Sequence, residues 1–163
     1  MTKIKKDILE SLATEAMEIG MNTRKISVQS RPGASLLQYL ERTVPKFSKS
    51  AVCRDALESG LDERYPELWA EVEQLMPDSA RDRYSWDWQA PKLKKEVFTE
   101  VREYMESRRS RAVISVYSPR VAVLTEYLRQ TEPGISISEV CREIIEREFQ
   151  EKLPEMWKEV EKL

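Results

Sequence analysis

The sequence predicts a mostly helical fold carrying one short two-stranded antiparallel β-ribbon, and three observations lead there. The chain repeats itself: between positions 24 and 75, 24 of 52 residues recur identically 88 positions later without a gap. Each repeat contains a single short run with strand alternation. Most of the rest of each repeat places apolar residues at helical spacing.

The repeat is carried by distinctive residues. Ile26-Ser27-Val28-Gln29-Ser30 returns as Ile114-Ser115-Val116-Tyr117-Ser118, and Val52-Cys53-Arg54 returns as Val140-Cys141-Arg142. Pro66-Glu67-Leu68-Trp69 returns as Pro154-Glu155-Met156-Trp157. A slip of one residue extends the match upstream, from Lys3-Ile4-Lys5-Lys6-Asp7 to Lys92-Leu93-Lys94-Lys95-Glu96. The organisation is therefore a unit at 2–75, a linker at 76–90 and a second unit at 91–163. Two copies fall short of the three that a solenoid requires, so the expectation is a pseudo-dimer within one chain.

Each unit opens with a helix, whose apolar positions are Ile4, Ile8, Leu12 and Met17 in the first copy and Leu93, Val97, Val101 and Tyr104 in the second. An alternating run follows, Lys25 to Gln29 or Val113 to Tyr117, which is a strand signal. Pro32 and Pro119 suit the first turn of the next helix, where a missing N–H costs nothing. Its inner face is Leu36, Tyr39 and Leu40, or Leu124, Tyr127 and Leu128. Pro45 and the pair Pro133-Gly134 end it. Ser48 and Ser136 cap a third helix, with Val52, Ala56, Leu57 and Leu61, or Val140, Ile144, Ile145 and Phe149, at core spacing. In the second copy Glu139, three residues after Ser136, completes a capping box. Pro66 and Pro154 start a last short helix with Trp69 or Trp157 on its core face.

Composition excludes several classes of function. Among 163 residues there is no His, only 2 Cys lying far apart, and only 4 Gly. The commonest general base, a self-sufficient zinc site and a glycine-rich phosphate loop are all missing. The expectation is a protein that is not an enzyme and needs no cofactor or metal. No apolar run approaches the roughly 20 residues of a membrane span, and the first residues lack the apolar core of a signal peptide. A cytoplasmic, nucleoid-associated location and no membrane partner are expected. The net charge is −2, yet residues 24–64 carry 8 basic against 5 acidic side chains, so a local basic face on an acidic body is expected.

A five-residue strand has no partner inside its own unit, and its backbone groups cannot stay unpaired in a packed fold. Pairing 25–30 with 113–118 solves this. Pairing of copy one with copy one of another chain remains open, since the stretch 76–111 permits either. Alternation sends Ile26, Val28, Ile114 and Val116 inward, and Lys25, Ser27, Gln29, Val113, Ser115 and Tyr117 outward. A two-stranded ribbon has the width that the B-DNA major groove admits.

Strand, helix, break, and a helix opening Phe47-Ser48-Lys49-Ser50-Ala51 or Ile135-Ser136-Ile137-Ser138-Glu139 together resemble the ribbon-helix-helix superfamily, the methionine-repressor and Arc class of DNA-binding proteins. The likeness covers about 24–62 and 112–150, roughly half of the chain. It implies a tandem ribbon-helix-helix pseudo-dimer with extra flanking helices, whose partner is double-stranded DNA. It further implies base contacts from Lys25, Ser27, Gln29, Val113, Ser115 and Tyr117. Phosphate contacts fall to Ser48, Lys49 and Ser50, with Lys46 beside them, and to Ser136 and Ser138. Arg111, in the cluster Arg108-Arg109-Ser110-Arg111, is a further phosphate candidate.

The copies are unequal, because Lys25 and Gln29 suit guanine and adenine edges while copy two offers Val113, Tyr117 and the carboxylate of Glu139. The expectation is an asymmetric reader of a non-palindromic half-site, with copy one carrying most contacts. Transcriptional repression is the expected use, with self-association or side-by-side binding on DNA. The alternatives are a plasmid-partition or conjugative-transfer accessory protein, or an antitoxin or adaptor holding a protein partner. Cys53 and Cys141 read as buried structural thiols, with a redox switch as the sharper option. Tyr84, Trp86 and Trp88 read as pins holding the linker to the body.

Overall fold

The computed structural model describes residues 3–19, 25–77, 88, 91–107 and 112–163. In chain order the elements are α1 (Lys6–Ile19), β1 (Lys25–Gln29), α2 (Arg31–Thr43), α3 (Lys49–Arg64), α4 (Pro66–Leu75), α5 (Lys95–Ser107), β2 (Val113–Tyr117), α6 (Pro119–Thr131), α7 (Ile137–Lys152) and α8 (Pro154–Glu161). The expectation of a mostly helical protein with one two-stranded antiparallel ribbon is met. β1 pairs with β2 in the register Lys25–Tyr117, Ile26–Val116, Ser27–Ser115, Val28–Ile114 and Gln29–Val113. Ser27 and Ser115 are the same position of the repeat, so the register is symmetric about that central pair. The edge question of a lone strand is thereby answered within the chain.

Local chemistry explains the helix boundaries. Ser30 and Ser118 cap α2 and α6, their hydroxyls accepting the Gly33 and Val121 amides at 3.0 and 3.3 Å. Each helix then ends two residues before a proline. The residue ahead of that proline, Val44 or Glu132, is held in extended conformation, as a following proline demands. Lys46 and Gly134, one residue past the prolines, have φ of 57° and 80°. In the second copy the Ile135 amide donates to the Glu132 carbonyl at 3.3 Å. This is the arrangement of a type II turn, with proline second and a left-handed residue third.

The core forms where the helices meet. The inner faces expected of α2, α3, α6 and α7 are all buried: Leu36, Tyr39, Leu40, Val52, Ala56, Leu57 and Leu61, and their counterparts Leu124, Tyr127, Leu128, Val140, Ile144, Ile145 and Phe149. Trp69 and Trp157 are buried as well. The faces of α1 and α5 differ from expectation. Met17 is 57% exposed, and the buried stripe of α1 is Leu9, Leu12, Ala13 and Ala16. At about 100° per residue, Met17 lies roughly 90° around the helix from the middle of that stripe, past its Ala13 edge. On α5 the buried residues are Phe98, Val101 and Met105.

The packing is crosswise. α3 lies against α7, α1 against α6, α2 against α5 and α8, and α4 against α6. Each of these contacts either joins equivalent helices or has a counterpart with the two repeats exchanged. Hydrogen bonds repeat the exchange: Lys94 N–H donates to the Tyr39 hydroxyl at 2.8 Å, and Lys5 N–H donates to the Tyr127 hydroxyl at 2.7 Å. Tyr39 also stacks on Phe98, with ring centroids 4.0 Å apart. Among the described residues no helix is long and apolar enough to cross a membrane.

Candidate nucleic-acid interface

The outward face of the ribbon carries the six residues expected there. Lys25, Ser27, Gln29, Val113 and Tyr117 are exposed and Ser115 is half-buried, while Val28, Ile114 and Val116 are buried beneath them and Ile26 is partly covered. Val113 and Tyr117, at 40% and 46% exposure, are two of the three exposed large apolar side chains among the described residues. Two of these three thus stand together on the outward face of the ribbon.

The two flanks of the ribbon are built by the third helices, in exchanged order. The groove beside β2 is lined by Ser115 and Tyr117 of the second repeat together with Lys49 and Ser50 from the start of α3. The groove beside β1 is lined by Ser27 and Gln29 together with Ser138, Glu139 and Arg142 from the start of α7. Each flank therefore combines the strand of one repeat with the helix start of the other.

The helix starts are anchored by the expected serines. The Ser48 hydroxyl accepts the Ala51 amide at 3.2 Å, and the Ser136 hydroxyl accepts the Glu139 amide at 3.4 Å. Each cap satisfies one orphan donor of the first turn, leaving earlier amides directed outward with the positive end of the helix dipole. The capping box expected in α7 is half made. Among the described residues the Glu139 carboxylate bonds to Arg142 at 3.4 Å instead of returning to the Ser136 amide. Lys49 pairs with Glu41 at 2.9 Å. Both pairs are solvent-exposed, so each contributes little and leaves its cation available to a phosphate. Lys46, Ser50, Ser136 and Ser138 are exposed and Ser48 is half-buried. Arg111 and the rest of its cluster lie outside the described residues, as do Tyr84 and Trp86.

Two serines that sequence reasoning passed over join the repeats behind this face. Ser30 Oγ donates to the Glu146 carboxylate at 2.5 Å, and Ser118 Oγ donates to the Glu58 carboxylate at 3.1 Å. Each cap at the end of a strand is thus tied to the third helix of the other repeat. Their signal was present in the sequence, as a serine just ahead of a first-turn proline in both copies.

Trp88 does what was expected of a linker pin. Its indole N–H donates to the Asp55 carboxylate, its ring lies 5.9 Å from that of Phe149, and the Lys152 ammonium sits 4.8 Å above it. Cys53 and Cys141 are buried free thiols. Burial pushes both up to about 12, against the opposing pull of Lys49 on Cys53 and of Arg129 and Arg64 on Cys141. Such thiols are protonated at neutral pH and make poor redox sensors. No family model, curated protein or solved structure matches this chain.

Proposed function

We propose that this chain is a single-chain ribbon-helix-helix pseudo-dimer that binds double-stranded DNA sequence-specifically by laying its ribbon in the major groove, and that it acts as a transcriptional repressor. The observation that carries this reading is the paired ribbon itself, with its polar and apolar side chains presented outward between two capped helix starts. The inner side chains of the ribbon supply the core, so the outer six residues are free to be chosen for recognition. Hydrogen-bonding side chains on a ribbon of this width match base edges. Helix starts on either side suit the flanking phosphates.

The test is binding to duplexes selected from a random pool. Four to six phosphate contacts give log affinity against log salt a slope of about −4 to −5. The double variant Lys25→Ala/Gln29→Ala retains the native circular dichroism and loses the selected sequence. A wild-type protein that enriches no sequence, or binds with a slope near zero, overturns the reading. Placing the selected sequence across a promoter then reports repression directly.

A further inference from the structure

The ribbon register divides the outward face into three chemically distinct steps, namely Lys25 beside Tyr117, Ser27 beside Ser115, and Gln29 beside Val113. The central step is the same in both strands. A half-turn about it exchanges Lys25 with Val113 and Gln29 with Tyr117, so the two ends of the face differ in charge, size and hydrogen-bonding capacity. A twofold backbone thus presents a face without twofold chemistry.

Resting on the DNA-binding reading above, we infer that the preferred duplex is non-palindromic and bound in one orientation, with a G·C pair under the Lys25–Tyr117 end and an A·T pair under the Gln29–Val113 end. At the first end the lysine ammonium is a donor for guanine O6 and N7. Among the described residues Lys25 has no carboxylate partner that would hold it back. At the second end the chemistry is joint. A glutamine amide matches adenine N6 and N7, and an apolar side chain directly across the ribbon matches the methyl group of thymine. Gln29 and Val113 are cross-strand partners, so both halves of one A·T pair lie within their reach. The serine pair at the centre accepts any base, because a hydroxyl both donates and accepts. Four residues of strand span about 13 Å, so the two specified pairs lie roughly four steps of 3.4 Å apart.

The experiment is selection from a random duplex pool with full-length wild-type protein and three variants. The wild type enriches a site with distinct ends. Lys25→Ala erases the G·C preference alone and Gln29→Ala the A·T preference alone, each by between about 5-fold and 150-fold in affinity for the matched over the mismatched pair. Val113→Lys/Tyr117→Gln makes the outward residues of both strands read Lys, Ser, Gln. These two positions are exposed, so the variant keeps its fold, checked by an unchanged melting profile. It enriches a palindrome. A palindromic wild-type site, or a double variant that still selects the wild-type site, overturns the inference while leaving DNA binding by the ribbon intact. Failure of the wild type to enrich any site overturns both.

Discussion

Lys46 holds a left-handed conformation, with φ of 57°, at the position where the second repeat uses Gly134. A side chain with a Cβ pays about 1–2 kcal/mol there, so Lys46→Gly raises stability, by about 0.5–1 kcal/mol once the added freedom of the unfolded chain is deducted. If the proposed DNA binding holds, the same substitution removes a cation from beside the α3 start and lowers the salt slope of that binding by about 1. Stability and affinity therefore move in opposite directions, and chemical unfolding with salt titration of binding checks both. Glu148 makes a second residue-scale case. It is 2% exposed, and burial raises its carboxyl above the ordinary range, with Lys152 at 3.5 Å pulling the other way and Glu63 and Glu151 adding to the rise. A raised carboxyl favours the folded state in acid and costs stability once it must ionise. Glu148→Gln accordingly stabilises at pH 7, and the gain shrinks as pH falls from the raised folded-state value toward the ordinary 4.5, below which it is gone. Urea unfolding at pH 7 and pH 4 measures this, and an equal effect at both would mean that Lys152 fully offsets the burial. The two positions differ in how far the sequence betrays them. The Pro-Gly of the second copy announces the turn that Lys46 must share, whereas Glu148 stands at the core spacing of α7, four residues after Ile144 and three after Ile145, and its charge disguises the burial that this spacing implies.

At the scale of elements the α3–α7 crossing sets the tightest requirement. A Cβ on Gly60 would lie 2.1 Å from Ile144 Cγ2. Alanine in place of glycine normally gains about 1 kcal/mol in a helix. Here the overlap belongs at the upper end of the about 1–3 kcal/mol that overpacking costs, leaving Gly60→Ala destabilised by about 2 kcal/mol. Ile144→Ala alone costs about 2–5 kcal/mol through its cavity. In the double variant the new methyl enters the freed space, so the two losses add to less than their sum, by 1 kcal/mol or more. A strictly additive cycle in denaturant unfolding would show that the helices move apart instead. The elements themselves were legible because proline and serine recur at equivalent places, which fixes helix starts and ends independently of hydrophobic spacing. The inner face of α1 was not, because Met17 offers a large apolar side chain where small Ala13 and Ala16 do the packing. Small residues let helices approach, and a reading weighted by side-chain size passes over them. The ribbon face was legible from alternation alone, but its flanks were not. Which helix start borders which strand depends on the crosswise packing, and that leaves no trace in either repeat taken singly.

For the molecule as a whole, the question is why the two repeats pair with each other. Positions 60 and 148 are equivalent, and they meet across the α3–α7 crossing: the place a Gly60 Cβ would take lies 3.5 Å from Glu148 Cγ. One repeat supplies a glycine there and the other a buried glutamate, while Ile144 of the second repeat fills the space the glycine leaves. Two second repeats joined in the same geometry would set Glu148 against Glu148 and drive each Ile144 into a side chain where only glycine fits. Two ionised carboxylates in one buried site repel strongly. Two first repeats would set Gly60 against Gly60, with Ala56 in place of Ile144, leaving a cavity in the crossing that costs stability. The mixed pairing avoids both penalties, as a hole avoids a clash with its knob. Cutting the chain between residues 77 and 88 therefore yields two fragments that assemble with each other in preference to themselves. An equimolar mixture regains the native helical signal and unfolds at a midpoint that rises with concentration, as a two-chain assembly must. Gly60→Glu in the first fragment abolishes the assembly, because it recreates the rejected pairing. A second fragment that folds as a stable monomer, or that self-associates as tightly as it binds the first, would show that the crossing does not select its partner.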